Sequence, residues 1–425
     1  MSEIIASAAA GKFRGIRRDG SLYFGAIRYA TAARFQRPEP AASHTGILDA
    51  TMPGTVFPQP PSRLERVMGA PHPEPEQSED SFTVTVTTPS LSGSRPVMVW
   101  LHGGGYSSGG GSLAWYDGGA LSAEGDVVVV SVNYRVGVLG YLLLEGVSEG
   151  NLGVHDQIAA LEWVRENIAG FGGDPNSITV FGQSAGAHSI VNLLNSNNSR
   201  PLFHRAILQS TPRLDLNFTK TAAIENGETF ARLLDGDPNT APLPLILDAF
   251  RATAVEFGRR SENVVQPPFA PISDVAPLIG SADSGVTEVV IGYTHDEGSA
   301  FVRGLPGDSM ADETTLTQNM FAETVAELAD TFTQSGTSVY TYRFDWTPPE
   351  NIFGATHCIE LPFILGTEKS WHGSPMLGMA DWTTVDEMGR RIRTLWTSFA
   401  HNGSPDNENT WKKFSPDEPI GITFT

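Results

Sequence analysis

The pentapeptide Gly182-Gln-Ser-Ala-Gly186 offers a hydroxyl that could act as a nucleophile. It follows the β-branched run Ser177 to Phe181 and precedes a helix-like stretch, Ala185 to Leu194. Between a strand and a helix, G-x-S-x-G makes a sharp turn that lifts the serine above a sheet. The flanking glycines fit because a side chain at either position would crowd the neighbouring elements. The same letters also describe a plain turn, in which glycine and serine are common. A serine hydroxyl is a weak nucleophile unless a base and a stabilised oxyanion assist it. For the oxyanion, His102-Gly-Gly-Gly-Tyr106 follows the apolar run Val97 to Leu101, and its glycines let backbone N–H groups approach a carbonyl with no Cβ in the way. Two other readings exist. The loop could simply be flexible, since Gly109 to Gly111 is also glycine-rich, and Gly109-x-Gly111-x-x-Ala114 loosely fits a dinucleotide fingerprint. The latter does not directly follow a strand and lacks the acidic partner.

Elements able to position these loops recur along the chain. Phe82 to Thr88 alternates strictly, the pattern of a half-buried strand. Pro96 to Leu101 and Val127 to Val132 are continuous apolar runs, as in strands covered on both faces. Ile158, Leu161, Val164 and Ile168 recur at helical spacing. Further strands are expected at His204–Gln209, Glu288–Tyr293 and Val339–Phe344, with helices around Asp312–Leu328 and Val385–Phe399. Strands alternating with helices predict an α/β fold, a mostly parallel sheet with helices on both faces. One domain over residues 1–425 is expected, with a proline-rich surface loop at 53–81.

Composition narrows the partners. In 425 residues, 40% are hydrophobic, enough for a sizeable core. Against 48 Asp+Glu there are 28 Lys+Arg, a net charge of −20, which argues against nucleic acid and anionic membrane surfaces. That charge should also repel anionic substrates, unless Arg28, Arg34 or Arg37 lies at the site's mouth. The single cysteine, Cys358, excludes an intramolecular disulfide and a cysteine-rich metal site, and a buried packing role suits it better than a nucleophilic one. The most apolar window, Asp126 to Leu144, contains Asn133 and Arg135, so no membrane span is expected. Met1 to Gly11 lacks a basic start, and a cytoplasmic location is expected. A monomer is the default state.

The two glycine motifs together resemble the type B carboxylesterase (cholinesterase-like) family of α/β-hydrolases, a bacterial carboxylesterase in particular. Val132-Asn-Tyr-Arg-Val-Gly-Val-Leu-Gly140, Gly150-Asn-Leu-Gly-Val-His-Asp-Gln157, Phe171-Gly-Gly-Asp-Pro175 and Trp396-Thr-Ser-Phe-Ala-His-Asn-Gly403 extend the match over most of the chain. The resemblance implies Ser184 as nucleophile. It implies Glu297, in Asp296-Glu297-Gly298, as the acid, and His357, in Gly354-Ala-Thr-His357-Cys-Ile-Glu360-Leu-Pro-Phe363, as the base. Their chain order agrees with that of α/β-hydrolases. The oxyanion hole would be the N–H groups of Gly104, Gly105 and Ala185, with Ser210, Gln183 and Tyr106 as support or pocket residues. Ser210 would hydrogen-bond Glu297, or else be satisfied locally. Ester and water are then the only partners, with no metal and no organic cofactor.

Departures from the family pattern shape the expected substrate. Phe57 and Ser81 stand where the family has its first disulfide, no tryptophan lies between them, and Gln183 replaces the cholinesterases' glutamate. A choline-ester specialist is therefore not expected. The reading is a carboxylesterase for small to medium soluble esters. The alternatives are a lipase or a specialised xenobiotic or mycotoxin esterase, and a non-catalytic adhesion module.

Overall fold

The computed structural model describes residues 3–196, 202–261, 265–273, 285–305, 307, 309–406 and 410–425. One large sheet organises it. In chain order its strands are β1 (Ile4–Ala8), β2 (Gly11–Arg18), β3 (Ser21–Arg28), β4 (Thr83–Thr88), β5 (Arg95–Leu101), β6 (Val128–Val132), β7 (Gly173–Gln183), β8 (Arg205–Gln209), β9 (Glu288–Thr294), β10 (Ser338–Phe344) and β11 (Ile422–Phe424). Their spatial order is β1-β2-β3-β4-β6-β5-β7-β8-β9-β10-β11. Along this path the pairings up to β4–β6 are antiparallel and from β6 to β11 every pairing is parallel, while a twelfth strand, Ile47–Asp49, pairs parallel with β2 off the path.

The parallel strands are apolar because both faces are covered. On β5, Val97, Val99 and Leu101 face one core, with Ile158, Leu161, Ile190 and Val325. Met98 and Trp100 face the other, with Val385, Ile392, Trp396 and Phe399. The first core belongs to helices α1 (Leu152–Asn167), α2 (Ala185–Leu194) and α5 (Glu323–Gln334), the second to α6 (Trp382–Asn402). Helices α3 (Lys220–Leu233) and α4 (Leu243–Arg260) enclose a further cluster that includes Tyr141, Leu142, Phe230 and Phe250. No helix among the described residues is long and apolar enough to cross a membrane.

Some expectations need correction. β4 is buried along its whole length, threonines included, because the short helix Gly119–Gly125 packs over the face that alternation assigns to solvent. The helical stretch around 312–328 is two helices, Met310–Thr317 and α5, joined by a π turn at Gln318–Ala322.

Segment 53–81 buries Val56, Phe57, Pro58, Val67 and Met68. Its base is closed by backbone hydrogen bonds, Val56 N–H to Glu76 O and Ser78 N–H to Val56 O, both 2.9 Å. The Phe57 ring meets Phe82 edge-on at 4.9 Å, and Ser81 Oγ donates to Ser78 O at 2.7 Å.

Candidate active site

β7 ends at Gln183, and Ser184 makes the turn into α2 with φ 58° and ψ −123°, while its N–H donates to Gln209 O at 2.8 Å. A non-glycine residue at such φ is strained, and the surroundings hold it there. The glycines on either side are required by contact. A Cβ on Gly182 would stand 2.7 Å, and one on Gly186 2.0 Å, from Leu101 O at the end of β5. Close approach of β7 and α2 to β5 brings the serine over the 103–105 loop. In that loop Gly104 has φ +116° and Gly105 φ +57°, and a Cβ on Gly104 would collide with Ser108 O at 2.1 Å. The N–H groups of Gly104, Gly105 and Ala185 find no acceptor among the described residues.

Two loops farther along the sheet supply the other groups. The turn after β9 and the loop after β10 are joined by a bridge between Asp296 and Thr356. Asp296 N–H donates to Ala355 O, and Ala355 N–H donates to Asp296 Oδ2, each at 2.9 Å. Asp296 thus fastens the loops, while Glu297 and His357, both fully buried, face one another. His357 Nδ1 donates to Glu297 Oε2. The other carboxylate oxygen accepts the Thr294 N–H at 2.8 Å. Burial of the His357 ring disfavours its cation, but the neighbouring Cys358 side chain and the Glu297 carboxylate on Nδ1 together favour it more, so its pKa is raised above the ordinary 6.5. Phe301 and Phe321 pack on the imidazole at 5.3 and 5.0 Å between ring centres.

Ser184, Gln183, His357, Cys358, Gly103 and Gly104 line one cavity of about 520 Å³. Segment 59–77 forms its opposite wall, and Leu64, Met68, Leu113, Trp115 and Tyr116 give it an apolar lining. A larger cavity, about 850 Å³, opens beside Arg37 and Glu149 and is lined by neither Ser184, His357 nor the 103–105 glycines. We take the smaller one as the site because chemically capable groups converge there.

The remaining expected residues fall differently. Gln183 contacts the imidazole directly, its Nε2 donating to His357 Nε2 at 3.1 Å. Tyr106 turns away from the cavity, its hydroxyl bonded to His188 Nδ1 at 2.6 Å. Ser210 does not hydrogen-bond Glu297. Its Oγ is buried without a partner among the described residues, and the Thr294 main chain occupies the oxygen it was expected to support. Cys358 is buried, yet it also lines the cavity, with Sγ 3.6 Å from Gln183 Oε1. Arg28, Arg34 and Arg37 are engaged by Asp80, Glu79 and Glu149.

Three side chains near the site carried no expectation of their own. Phe301 and Phe321 hold His357. Glu360 accepts from Tyr342 OH at 2.7 Å, and burial pushes its pKa up to about 7. Phe301 lies one helical turn after Glu297, a spacing that could have marked it, whereas nothing in sequence joins Phe321 to His357.

Comparisons with known proteins agree on one lineage. The model of the carboxylesterase family matches residues 2–318 and 309–423. A probable N-octanoylanthranilate hydrolase of Rhodococcus erythropolis is 43% identical over 424 residues, covering 93% of this chain and 92% of that protein. The para-nitrobenzyl esterase of Bacillus subtilis (strain 168) is 33% identical over 459 residues, with 96% and 92% covered. The solved structure of a thermophilic para-nitrobenzyl esterase superposes with a TM-score of 0.86 at 30% identity, covering 99% of this chain and 96% of the other. The chain belongs to the carboxylesterase family.

Proposed function

We propose that this chain is a serine carboxylesterase in which Ser184 is the nucleophile, His357 the general base and acid, and Glu297 the acid that orients and charges the imidazole. The observation that carries the reading is the buried Glu297–His357 pair, whose free ring edge borders the cavity that Ser184 lines. With Nδ1–H given to Glu297, Nε2 carries the lone pair that can accept the serine proton. In the resting arrangement Gln183 donates to that lone pair. Catalytic hydrogen bonds are often incomplete before substrate binds, so the serine hydroxyl takes over this position in the productive complex.

Attack of Oγ on the ester carbonyl passes the hydroxyl proton to Nε2 and places negative charge on the carbonyl oxygen. The unpartnered N–H groups of Gly104, Gly105 and Ala185 are suited to receive that charge. Their rigid placement, with Gly104 confined by Ser108, makes them a preorganised rather than an adaptable stabiliser. The C–O bond to the leaving group then breaks as His357 returns the proton to that oxygen. Water, deprotonated by the same nitrogen, attacks the acyl-enzyme and restores Ser184. The apolar walls and the volume of the cavity suit small to medium acyl groups.

The relative at 43% identity, named for N-octanoylanthranilate, supports a second reading, in which the scissile bond joins a medium acyl chain to an aromatic amine. The same residues serve it, with His357 protonating nitrogen instead of oxygen.

A fluorophosphonate probe followed by peptide mapping tests the mechanism. The adduct is expected at Ser184 alone, and Ser184→Ala is expected to lower kcat by about 10⁶-fold. Labelling at another residue, or a Ser184→Ala enzyme as active as the parent, rejects the assignment.

A further inference from the structure

The three donors assigned above to the oxyanion stand on two separate elements. Gly104 and Gly105 belong to the loop after β5, and Ala185 opens α2. Three N–H groups can share one oxygen only if the two elements keep their spacing to within about 0.5 Å. Bonds inside the loop fix its shape but not its place against the helix. The Gly104 carbonyl accepts the N–H groups of Ser107 and Ser108 at 3.1 and 3.2 Å, and the Gly105 carbonyl accepts Ser107 Oγ at 3.2 Å.

Tyr106, the residue after Gly105, crosses between the two. Its main chain sits at φ +57°, a strained value for a residue other than glycine, and its carbonyl accepts the Gly137 N–H at 2.5 Å. Thus turned, the ring enters the buried cluster that also holds Ala185, and its hydroxyl reaches His188 Nδ1 at 2.6 Å. His188 is itself tied to the nucleophile's turn, its N–H donating to Ser184 O at 2.9 Å. The direction of the phenol bond follows from its neighbours. Asn192 Nδ2 donates to His188 O at 3.0 Å and faces Nδ1 at 3.3 Å, while its Oδ1 accepts Asn217 Nδ2 at 2.8 Å, so Nδ1 is an acceptor. Ser189 Oγ donates to the phenol oxygen at 3.3 Å, which leaves the phenol proton for the imidazole. Burial keeps both partners in this state, lowering the His188 pKa to about 4 and raising that of Tyr106.

We propose that Tyr106 and His188 are positioning residues for the oxyanion hole, and that their hydrogen bond holds the Gly104 and Gly105 donors in place against the Ala185 donor. The inference rests on the serine-hydrolase reading. Neither side chain lines the cavity, so both act through the backbone groups and not on the substrate. Loosening the bond then costs most where negative charge sits on the carbonyl oxygen. The loss falls on the tetrahedral intermediate and not on the bound ester, so it appears in kcat and not in KM.

Turnover of phenyl butyrate and inhibition by an alkyl trifluoromethyl ketone, which forms an oxyanion when a serine adds to it, are the readouts. In Tyr106→Phe and in His188→Phe, kcat is expected to fall about tenfold, short of the roughly 10²–10³ for losing an oxyanion donor outright, with KM within about twofold. The ketone should bind about tenfold more weakly in the same variants, because it shares the charge of the intermediate. The acid limb of the pH profile should not move, since His357 keeps its partners. His188→Asn, whose Oδ1 can accept the phenol proton, is expected to recover most of what His188→Phe loses. The double variant Tyr106→Phe/His188→Phe should be little worse than either single one, as for two groups that act as a unit. An unchanged kcat and ketone affinity in Tyr106→Phe overturn the proposal while leaving the esterase reading intact. A fall in kcat with ketone affinity unchanged, or losses that multiply in the double variant, overturns it equally. Should His188→Phe fail to fold, Tyr106→Phe, which removes one oxygen atom and no other, decides alone. Failure of the parent enzyme to hydrolyse phenyl butyrate and to bind the ketone instead rejects the hydrolase reading, and this proposal with it.

Discussion

Two fully buried histidines lie near Ser184, one at the end of β5 and one in the loop after β10, and they are in opposite electrostatic states. His102, at the end of β5, stacks on Tyr134 at 4.1 Å between ring centres and gives Nδ1 to its neighbour's carbonyl, Gly103 O, at 2.8 Å. Burial lowers its pKa to about 4, and that one carbonyl offsets little of the shift, so the ring stays neutral. His357 is as deeply buried, but Cys358 lies beside it and Glu297 stands on its Nδ1, and together they raise its pKa. Burial alone silences an imidazole, and burial beside a carboxylate makes it a base. The two loops contribute to the site in different ways. The 102–106 loop presents backbone N–H groups, and its histidine serves as packing. The loops after β9 and β10 present side chains, and their backbone serves as the fastening.

The largest way to break this contrast is Glu297→Gln, which leaves His357 with a neutral partner, as His102 has. Turnover is expected to fall about 10⁴-fold. Only unprotonated His357 can accept the serine proton, and its pKa is raised, so the parent enzyme's kcat/KM should decline as pH falls through a value above 6.5. Without the carboxylate, one of the two influences opposing burial is lost, and the acid limb should move to lower pH, toward the His102 case. A pH–rate profile of both enzymes checks this, and an unmoved limb would assign the titration to another group.

Next in size is Gly104→Ala, which attacks the backbone half. The added methyl must displace Ser108 O from 2.1 Å, shifting a proposed oxyanion donor. A loss of about 10²–10³ in kcat is expected, with little change in the acid limb. A fall in KM alone, or full activity, would remove Gly104 from the oxyanion role. The smallest effect is expected from His102→Phe. An aromatic ring retains the stack on Tyr134, so kcat/KM should stay within a few-fold and thermal stability should change by about 1 kcal/mol. A pH-dependent loss in that variant would show that the two histidines are not as distinct as their surroundings imply.

The sequence was most legible where function constrains the backbone. Gly182, Gly186 and Gly104 could be read because close approach forbids a side chain there, and such glycines are visible without a structure. The buried parallel strands were equally plain from their apolar runs. Helices α3 and α4 gave no reading, since the chain between Thr211 and Val286 offered no motif to frame them. The proline-rich stretch 53–81 reads as surface from composition, yet it walls the cavity, because composition does not say which surface a loop covers. The Ser210–Glu297 hydrogen bond failed for a similar reason. Family position places a residue near another but does not aim its hydroxyl.

The closure of segment 53–81 has a consequence for how the entrance behaves over time. Two backbone hydrogen bonds, the Ser81 hydroxyl and one edge-on contact of phenyl rings close the base of the wall that faces Ser184, Gln59 and Arg66 tie it to neighbouring carbonyls, and none of these contacts is covalent. Such a clasp contains no disulfide, so reducing thiols do not loosen it. It is instead sensitive to heat and denaturant, which loosen hydrogen bonds and ring packing together.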